Sequence, residues 1–484
     1  MALVNSTVKN LSISGSSEKI LLIYRLLWIS GLRPDNFTFP YTLKACADLA
    51  IFDGRSIHTQ ILKSGFSLNV YVANSIIDMY SKFGSFQPAR QVFDEMADRN
   101  LVSWNLIISC YRLNGFPNTA VELCCSMRYE SVVLDKVSMK IILPACGQLR
   151  ALRLGKSIHA HMITSGLSLD VALTTAVMDM YGKCGSLNTA ERLFNEISCK
   201  DVVSWNALIS GYSQIGKPKM VIELFQKMRV AGTSPSIVTV LLVLQACADL
   251  GILQFGDKIH GYVIKLSLSL DVSVQTLLVE MYSKCGKLCS ASCVFNGISE
   301  GTVNSWSAII YGLGMHGYGK ASLMGFFGML KRGIDPDDVC FLIILSTCSH
   351  TGLVSEGCNV FNYMVKHFAI QPKMEHYASM VDLLGRAGFI DEAFKFIRLM
   401  PTEPGISVWG ALLGACKIYG EFEIGGVFEE CLVESGCKTA GYYKLLLSIY
   451  ASKGRWDDVA RIRGLMEKRE VERTSGYSLI EISS

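Results

Sequence analysis

The chain has 484 residues, half of them apolar and 18% charged, and 46 basic against 42 acidic side chains leave a formal net charge of +4. That length accommodates three ordinary domains or one long array of repeats. So small a net charge does not by itself mark a nucleic-acid binder, since strong phosphate binders concentrate basic charge on one surface, and no run of eighteen apolar residues is available to span a membrane: even ILLIYRLLWI contains Arg25.

Residues 1–19, MALVNSTVKNLSISGSSEK, are serine-rich and poor in acids, the composition of a transit peptide, but carry no arginine. They are expected to form a segment without fixed structure. A partial unit then ends at Asp35, and a block from 36 to 69 follows that lacks one residue between Cys46 and His58. Beyond it a period of 101 residues takes over. NLVSWNLIISCYRLNGF returns as DVVSWNALISGYSQIGK and TVNSWSAIIYGLGMHGY, placing Trp104, Trp205 and Trp306 in one register. Met79-Tyr80, Met180-Tyr181 and Met281-Tyr282 keep step, as do His58, His159 and His260.

Each period resolves into blocks of 35, 35 and 31 residues. The first kind (101–135, 202–236, 303–337) opens on SWN and closes near a G-x-x-P or its equivalent. The second (136–170, 237–271) carries an AC and then an IH, and the third (70–100, 171–201, 272–302) runs toward MY and KxG. Within a block two stretches of helical periodicity flank a glycine, as in VVSWNALISGYSQ, Gly216, KMVIELFQKMRV. A helical hairpin of about 35 residues cannot bury its apolar face alone, so neighbours must stack. The predicted fold is all-α, a right-handed α-solenoid superhelix of helical hairpins with a long groove. Trp205 and Ala207 are read as packing between hairpins.

The pattern continues through 338–373, with SHTGLVSEG, and 374–405, with EHYASMVDLLGRAG and MPTEP. Two further hairpin-like units, VWGALLGACKIYGEFEIG and YYKLLLSIYASKGRWDDVARIR, extend it over 406–473, before a tail at 474–484. The array proper is thus 20–405. Seventeen cysteines, an odd number, fall largely in apolar patterns such as LKAC, LPAC and LQAC, which predicts buried thiols in a reducing compartment rather than a disulfide framework.

Three motifs mimic chemistry. Cys285, Cys289 and Cys293 are spaced by four on one helical flank, but zinc sites favour four ligands and C-x-x-C pairs, so burial is the expected role. GMHGYGKA, residues 314–321, nearly matches a phosphate-binding loop, yet it ends a helix, and Ala321 stands where a metal-binding hydroxyl is required. The IH histidines are expected to pack or hydrogen-bond locally. No metal, cofactor or catalytic residue is predicted.

With its three alternating block lengths in register over about residues 20–484, the chain resembles the plant pentatricopeptide repeat family, in the subclass that mixes repeat lengths. The W-x-x-L-G-x-x-Y signature of protein-binding tetratricopeptide repeats is missing. Blocks 338–373 and 374–405 look like the family's variant last repeats, and 406–473 resembles its C-terminal E region. Where members read SNIY and GxSWIEI, this chain has Leu447 before SIY and Leu479 in place of tryptophan.

The resemblance implies one base read per repeat by two or three side chains. Short polar residues at the fifth and last places of the blocks suit that role: Asn74 with Asn100, Asn105 with Asp135, Thr175 with Asp201, Asn206 with Ser236, Thr276 with Thr302, and Ser307 with Asp337. An unpaired Asn or Thr on a helix is ordinarily solvated or a cap; repetition at one register in six blocks argues otherwise. By the family's code the target reads pyrimidine, U, any, G, pyrimidine, any, purine, G. The AC-type pairs, Lys140 with Asp170 and Leu241 with Asp271, are spacers. The implied partners are a single-stranded organelle RNA, in mitochondrion or chloroplast, and, in trans, a deaminase-bearing family member with small editing cofactor proteins. Neither H-x-E nor C-x-x-C, the marks of the family's own zinc deaminase, occurs in the chain. Transcript stabilisation and peptide binding by a helical scaffold are the alternatives.

Overall fold

The computed structural model describes residues 2–49, 54–166, 170–266, 271–419, 429, 432 and 440–469, and every regular element among them is an α-helix. The fold is the expected α-solenoid of hairpins. Its leading helices include Val70–Lys82, Leu101–Leu113, Lys136–Gln148, Val171–Lys183 and Val202–Gln214, then Ile237–Leu250, Val272–Lys284, Val303–Met315 and Asp338–Thr351. The first amides of a helix have no partner in the helix itself. In all nine cases the last residue of the preceding block supplies one: Asn69, Asn100, Asp135, Asp170, Asp201, Ser236, Asp271, Thr302 and Asp337 each accept from an amide of the first turn. Asp135 takes the Ser138 amide at 2.7 Å. Eight of these nine leading helices end in a glycine turn, as at Gly185 (φ 81°), where the Ser186 N–H reaches back 2.9 Å to the Tyr181 carbonyl; after Lys136–Gln148 the left-handed place is taken by Arg150 (φ 51°).

Two compact units are formed, Met1–Pro235 and Ser236–Ser484. In each, a leading helix packs against the leading helices of adjacent hairpins, while a trailing helix such as Leu187–Glu196 packs against its own leading helix and the next one. The leading helices therefore form a continuous wall within a unit.

The recurring landmarks are the contacts between hairpins. Trp104, Trp205 and Trp306 are buried edge-to-face on Phe93, Phe194 and Phe295 of the preceding trailing helix, at centroid distances of 4.8, 4.6 and 4.8 Å. The imidazole Nδ1 atoms of His58, His159 and His260 lie 3.0, 3.0 and 2.8 Å from the hydroxyls of Tyr80, Tyr181 and Tyr282 in the next hairpin. The IH and MY motifs are thus two halves of one joint. Met79, Met180 and Met281 fill the bare faces of Gly54, Gly155 and Gly256, where any Cβ would collide with the thioether. Cys46, Cys146, Cys247 and Cys416 of the AC pairs, and Cys348 at the same register, are fully buried and in no disulfide. Burial pushes Cys146, Cys247 and Cys348 up to about 12.

Two features depart from expectation. Residues expected to lack structure form the helix Ala2–Ile13, which pairs with Ser17–Ile29 and buries Val8 beside Ile20 and Ala45, so the first hairpin has both of its helices. Cys289 and Cys293 are exposed, because their flank of the short helix Leu288–Asn296 faces away from the packed layer, and Cys285, which closes Val272–Lys284 in the turn before it, is half-buried. Among the described residues no cluster of three His, Cys, Asp or Glu side chains could hold a metal. The GMHGYGKA segment joins two helices through Gly317 (φ 81°), with no strand before it. No described helix is long and apolar enough to cross a membrane.

At the carboxyl end, Ile406–Tyr419 packs on Met374–Arg386, and Ala440–Ser452 with Trp456–Lys468 builds a core of Leu413, Tyr443, Leu446 and Ile462, against which Leu447 is partly buried. Leu479 and the tail at 474–484 lie outside the described residues.

Replacing Trp205 with Ala removes a buried aromatic from a joint and should cost about 3–5 kcal/mol locally, read as accelerated hydrogen exchange in Leu187–Glu196 and Val202–Gln214. Asp135→Ala should weaken the start of Lys136–Gln148 by ~1 kcal/mol, whereas Asp135→Asn, itself a good cap, should leave it intact. Burial holds His58, His159 and His260 below the usual imidazole value. The unfolded rings titrate near ~6.5 and there bind protons more readily than the native ones. The stability these joints contribute is complete above that value and lost as pH falls through the lowered native values. Thermal midpoints should drop on acidification from pH 7.5 to 5.5, and a triple His→Gln variant should flatten that slope.

Candidate nucleic-acid interface

Within each unit the predicted residues fall in two positions of the leading-helix wall. Each last residue is the cap of a leading helix, and each fifth residue stands one and a half turns into the preceding one. Two pairs make the convergence explicit. Asn105 Nδ2 lies 3.5 Å from Asp135 Oδ1, and in an AC-type block Lys140 Nζ lies 3.3 Å from Asp170 Oδ2. Both pairs span 30 residues, so the chain brings a fifth residue and the next cap together by the same step.

The Asp135 carboxyl sits below its ordinary value, since burial, which would raise it, is outweighed by hydrogen bonds from the Ser138 amide and hydroxyl and from Asn105. Asp170 is also lowered, by the Leu173 amide first and then by Lys140. Both caps are therefore anionic at neutral pH. Lys140 is engaged by Asp170, which is consistent with a block that reads no base.

The fifth residues differ in what they leave free. Asn74, Asn105 and Thr175 are buried, at 8%, 8% and 6% exposure. The Oδ1 atoms of Asn74 and Asn105 have no hydrogen-bond partner. An unsatisfied buried acceptor costs about 1–3 kcal/mol, which a donor brought to these carbonyl oxygens would recover. Thr175 and Thr276 donate their hydroxyls to the carbonyls of Val171 and Val272, each at 2.7 Å, and so present only an acceptor. Ser307 Oγ is buried beside the Cys340 thiol without a partner of hydrogen-bonding geometry. Asn206 is half-buried.

The caps Asn100, Asp201 and Asp337 hold the amides of Ser103, Ser204 and Cys340 at 3.0, 2.8 and 2.8 Å. Ser236 and Thr302 form reciprocal capping boxes with Thr239 and Ser305. Asp170 caps through Oδ1 and meets Lys140 through Oδ2, whereas Asp135 Oδ1 both caps Ser138 and faces Asn105. In the second unit Thr276, Thr302 and Ser307 line one cleft of about 740 Å³ together with Leu241, Lys284 and Tyr311. Its shape is an open trough over four successive leading helices, Ile343 of Asp338–Thr351 closing the far side.

Sequence reading missed two sets of residues here. Lys82, Lys183 and Lys284 recur 101 residues apart near the ends of their leading helices, paired with Asp78, Asp179 and Glu280 at 3.2, 2.7 and 2.8 Å. The KxG motif carried this signal. Asn5 and Asp35 form a further contact of the fifth-to-cap kind, with Nδ2 to Oδ2 at 2.8 Å over 30 residues. Asparagine at the fifth place of 35 residues ending in Asp35 was a sufficient clue.

Comparison with known proteins places this geometry. The PPR repeat model matches residues 71–101, 102–132, 174–202 and 375–403, the PPR repeat family model matches 200–249, and the E motif model matches 419–481. A pentatricopeptide repeat-containing protein of Arabidopsis thaliana named as mitochondrial is 37% identical over 99% of this chain and 77% of its own length. One named as chloroplastic, also from Arabidopsis thaliana, is 37% identical over 99% of this chain but only 60% of itself, so the chain spans well under the full length of that relative. Among solved structures, the pentatricopeptide repeat protein PPR10 from maize aligns with a TM-score of 0.58 at 18% identity, covering 97% of this chain and 74% of that one. PPR10 in complex with an 18-nt psaJ RNA element gives 0.60 at 17%, covering 94% and 72%. Stacked hairpins, their periodic joints and 37% identity over nearly the whole chain agree: it belongs to the pentatricopeptide repeat family.

Proposed function

We propose that the chain binds a single strand of organelle RNA along its leading-helix wall and acts as an adaptor for C-to-U editing, the deaminase being supplied by another protein. The observation that carries the RNA reading is the pair of unsatisfied carboxamide oxygens, Asn74 Oδ1 and Asn105 Oδ1, buried at one register of consecutive leading helices. An unpaired base can bring its hydrogen-bonding edge to such positions one repeat at a time. In this reading Asn74 and Asn105 take pyrimidines. Thr175 and Thr276 accept from purine amino or imino groups, Asn206 takes a pyrimidine and Ser307 a purine. Asn100, Asp135, Asp201, Ser236, Thr302 and Asp337 refine the choice while holding the helix starts. Lys82, Lys183 and Lys284 can exchange their carboxylate partners for phosphates, which makes affinity fall with salt.

Support for the editing role is the E motif match at 419–481, and for the compartment the relatives named as mitochondrial and chloroplastic. The chain's own residues supply no chemistry in this scheme; they select and hold the strand.

RNA carrying YUnGYnRG should bind at least about tenfold more tightly than RNA with its purines and pyrimidines exchanged, as measured by fluorescence anisotropy. Equal binding would contradict the reading. Asn105→Thr reproduces the Thr175–Asp201 combination, so it should shift preference from U to G at the second position alone. Sequencing of organelle transcripts from a plant lacking the protein should reveal a cytidine left unconverted downstream of that motif; changed transcript ends without such a site would favour stabilisation.

A further inference from the structure

The trailing helices Phe86–Glu95, Leu187–Glu196 and Leu288–Asn296 occupy one register of the 101-residue period, and the first two end under a basic side chain. Arg99 lays its guanidinium over Phe93, with Cζ 4.9 Å from the ring centroid. Its Nε donates to the Phe93 carbonyl at 3.1 Å and its Nη2 to the Asp94 carbonyl at 3.0 Å. One period on, Lys200 places Nζ 5.2 Å from the centroid of Phe194 and donates to the Ile197 carbonyl at 2.7 Å. A cation in that place gains from the ring face and from the negative end of the helix together. Both rings are buried.

The third copy has no such side chain. Gly301 stands where Arg99 and Lys200 stand, and Phe295, the counterpart of Phe93 and Phe194, is only half-buried and carries no cation on its face. A cavity of about 560 Å³ opens there, lined by Phe295, Asn296, Ile298, Glu300, Gly301 and Arg332 among others. Asn296 and Ile298 correspond to Asp94 and Ile197, whose carbonyls hold the cations of the sister copies. Arg332 does not substitute for the missing cation, since its guanidinium lies over Trp306, 5.2 Å from that ring's centroid. Exposed Glu300 pairs with no cation among the described residues.

We infer that this cavity is a docking slot for an arginine side chain of a partner protein, which takes in the third copy the place that Arg99 takes in the first. A planar guanidinium can stack on Phe295, donate to the helix-end carbonyls and pair with Glu300, demands that the point charge of a lysine meets less completely. RNA presents no cationic group, and its phosphates are repelled by Glu300. The slot lies between the ends of successive trailing helices and shares no residue with the trough holding Thr276, Thr302 and Ser307, so the inference does not rest on the RNA reading.

The test places 4-fluorophenylalanine at position 295 of the full chain and follows its fluorine resonance during titration. Three probes are compared: the peptide acetyl-Gly-Ser-Arg-Ser-Gly-amide, the same peptide with neutral citrulline for arginine, and spermidine. The arginine peptide should shift the resonance saturably and bind at least about tenfold more tightly than the citrulline peptide. Gly301→Arg, which restores the chain's own cation, should abolish that shift, and Glu300→Gln should weaken binding by about tenfold without changing affinity for RNA. Equal binding of the two peptides, or no saturable shift with either, overturns the slot. Tighter binding of spermidine than of the arginine peptide overturns the assignment to a protein side chain in favour of a free polyamine. Because the two peptides are compared on a chain that keeps Glu300 and Gly301, disturbance of the turn by either change does not blur the outcome.

Discussion

A leading helix in this protein starts where a short polar side chain takes up its first free amides, and the rest of the architecture follows from that constraint. The capping residue ends one hairpin and begins the next, so it sets the register at which consecutive leading helices lie side by side. The same residue faces the fifth position of the helix before it, as the Asn105–Asp135 and Lys140–Asp170 contacts demonstrate. A cap lost to an apolar residue would thus disturb both the helix start and the polar wall. The dual use explains why Asn, Asp, Ser and Thr occupy the last place of every complete block from 70 to 337.

Division of labour between residues is sharp. The most conspicuous repeating side chains, tryptophan, histidine, tyrosine and methionine, are spent on joints between hairpins, where they bury aromatic area or close a His–Tyr hydrogen bond. The inconspicuous fifth residues carry the variation. Asparagine leaves a buried oxygen unsatisfied, threonine turns its proton inward onto a helix carbonyl, lysine closes on an aspartate, and leucine offers nothing polar at all. In the proposed reading these alternatives make some repeats selective and others silent without altering the packing behind them.

Much of this was legible because the period is long and the landmarks are rare residue types. Three in-register tryptophans fixed the block lengths, and the glycine between two helical stretches identified the hairpin. The His–Tyr joint was not legible, since its partners sit 22 residues apart in different hairpins and neither helix's periodicity points to the other. The first hairpin escaped notice because Val4 replaces the tryptophan and the missing residue in block 36–69 shifts Asn5 to 100 residues before Asn105. Serine-rich composition then suggested a structureless leader, although Val8 and Leu11 lie on the side of Ala2–Ile13 that meets Ile20 and Ala45. The exposure of Cys289 and Cys293 was missed for a related reason: spacing by four identifies a shared flank but not which way that flank faces.

The central claim is that a single strand lies on the leading helices. Photocrosslinking the full chain to its RNA motif with 4-thiouridine at the U position, followed by mass spectrometry of the adducts, tests this most directly. Adducts should map to the first turns of Leu101–Leu113 and Lys136–Gln148, around Asn105 and Asp135. Adducts confined to trailing helices such as Pro117–Tyr129, or spread evenly over both helices of a hairpin, would contradict the account.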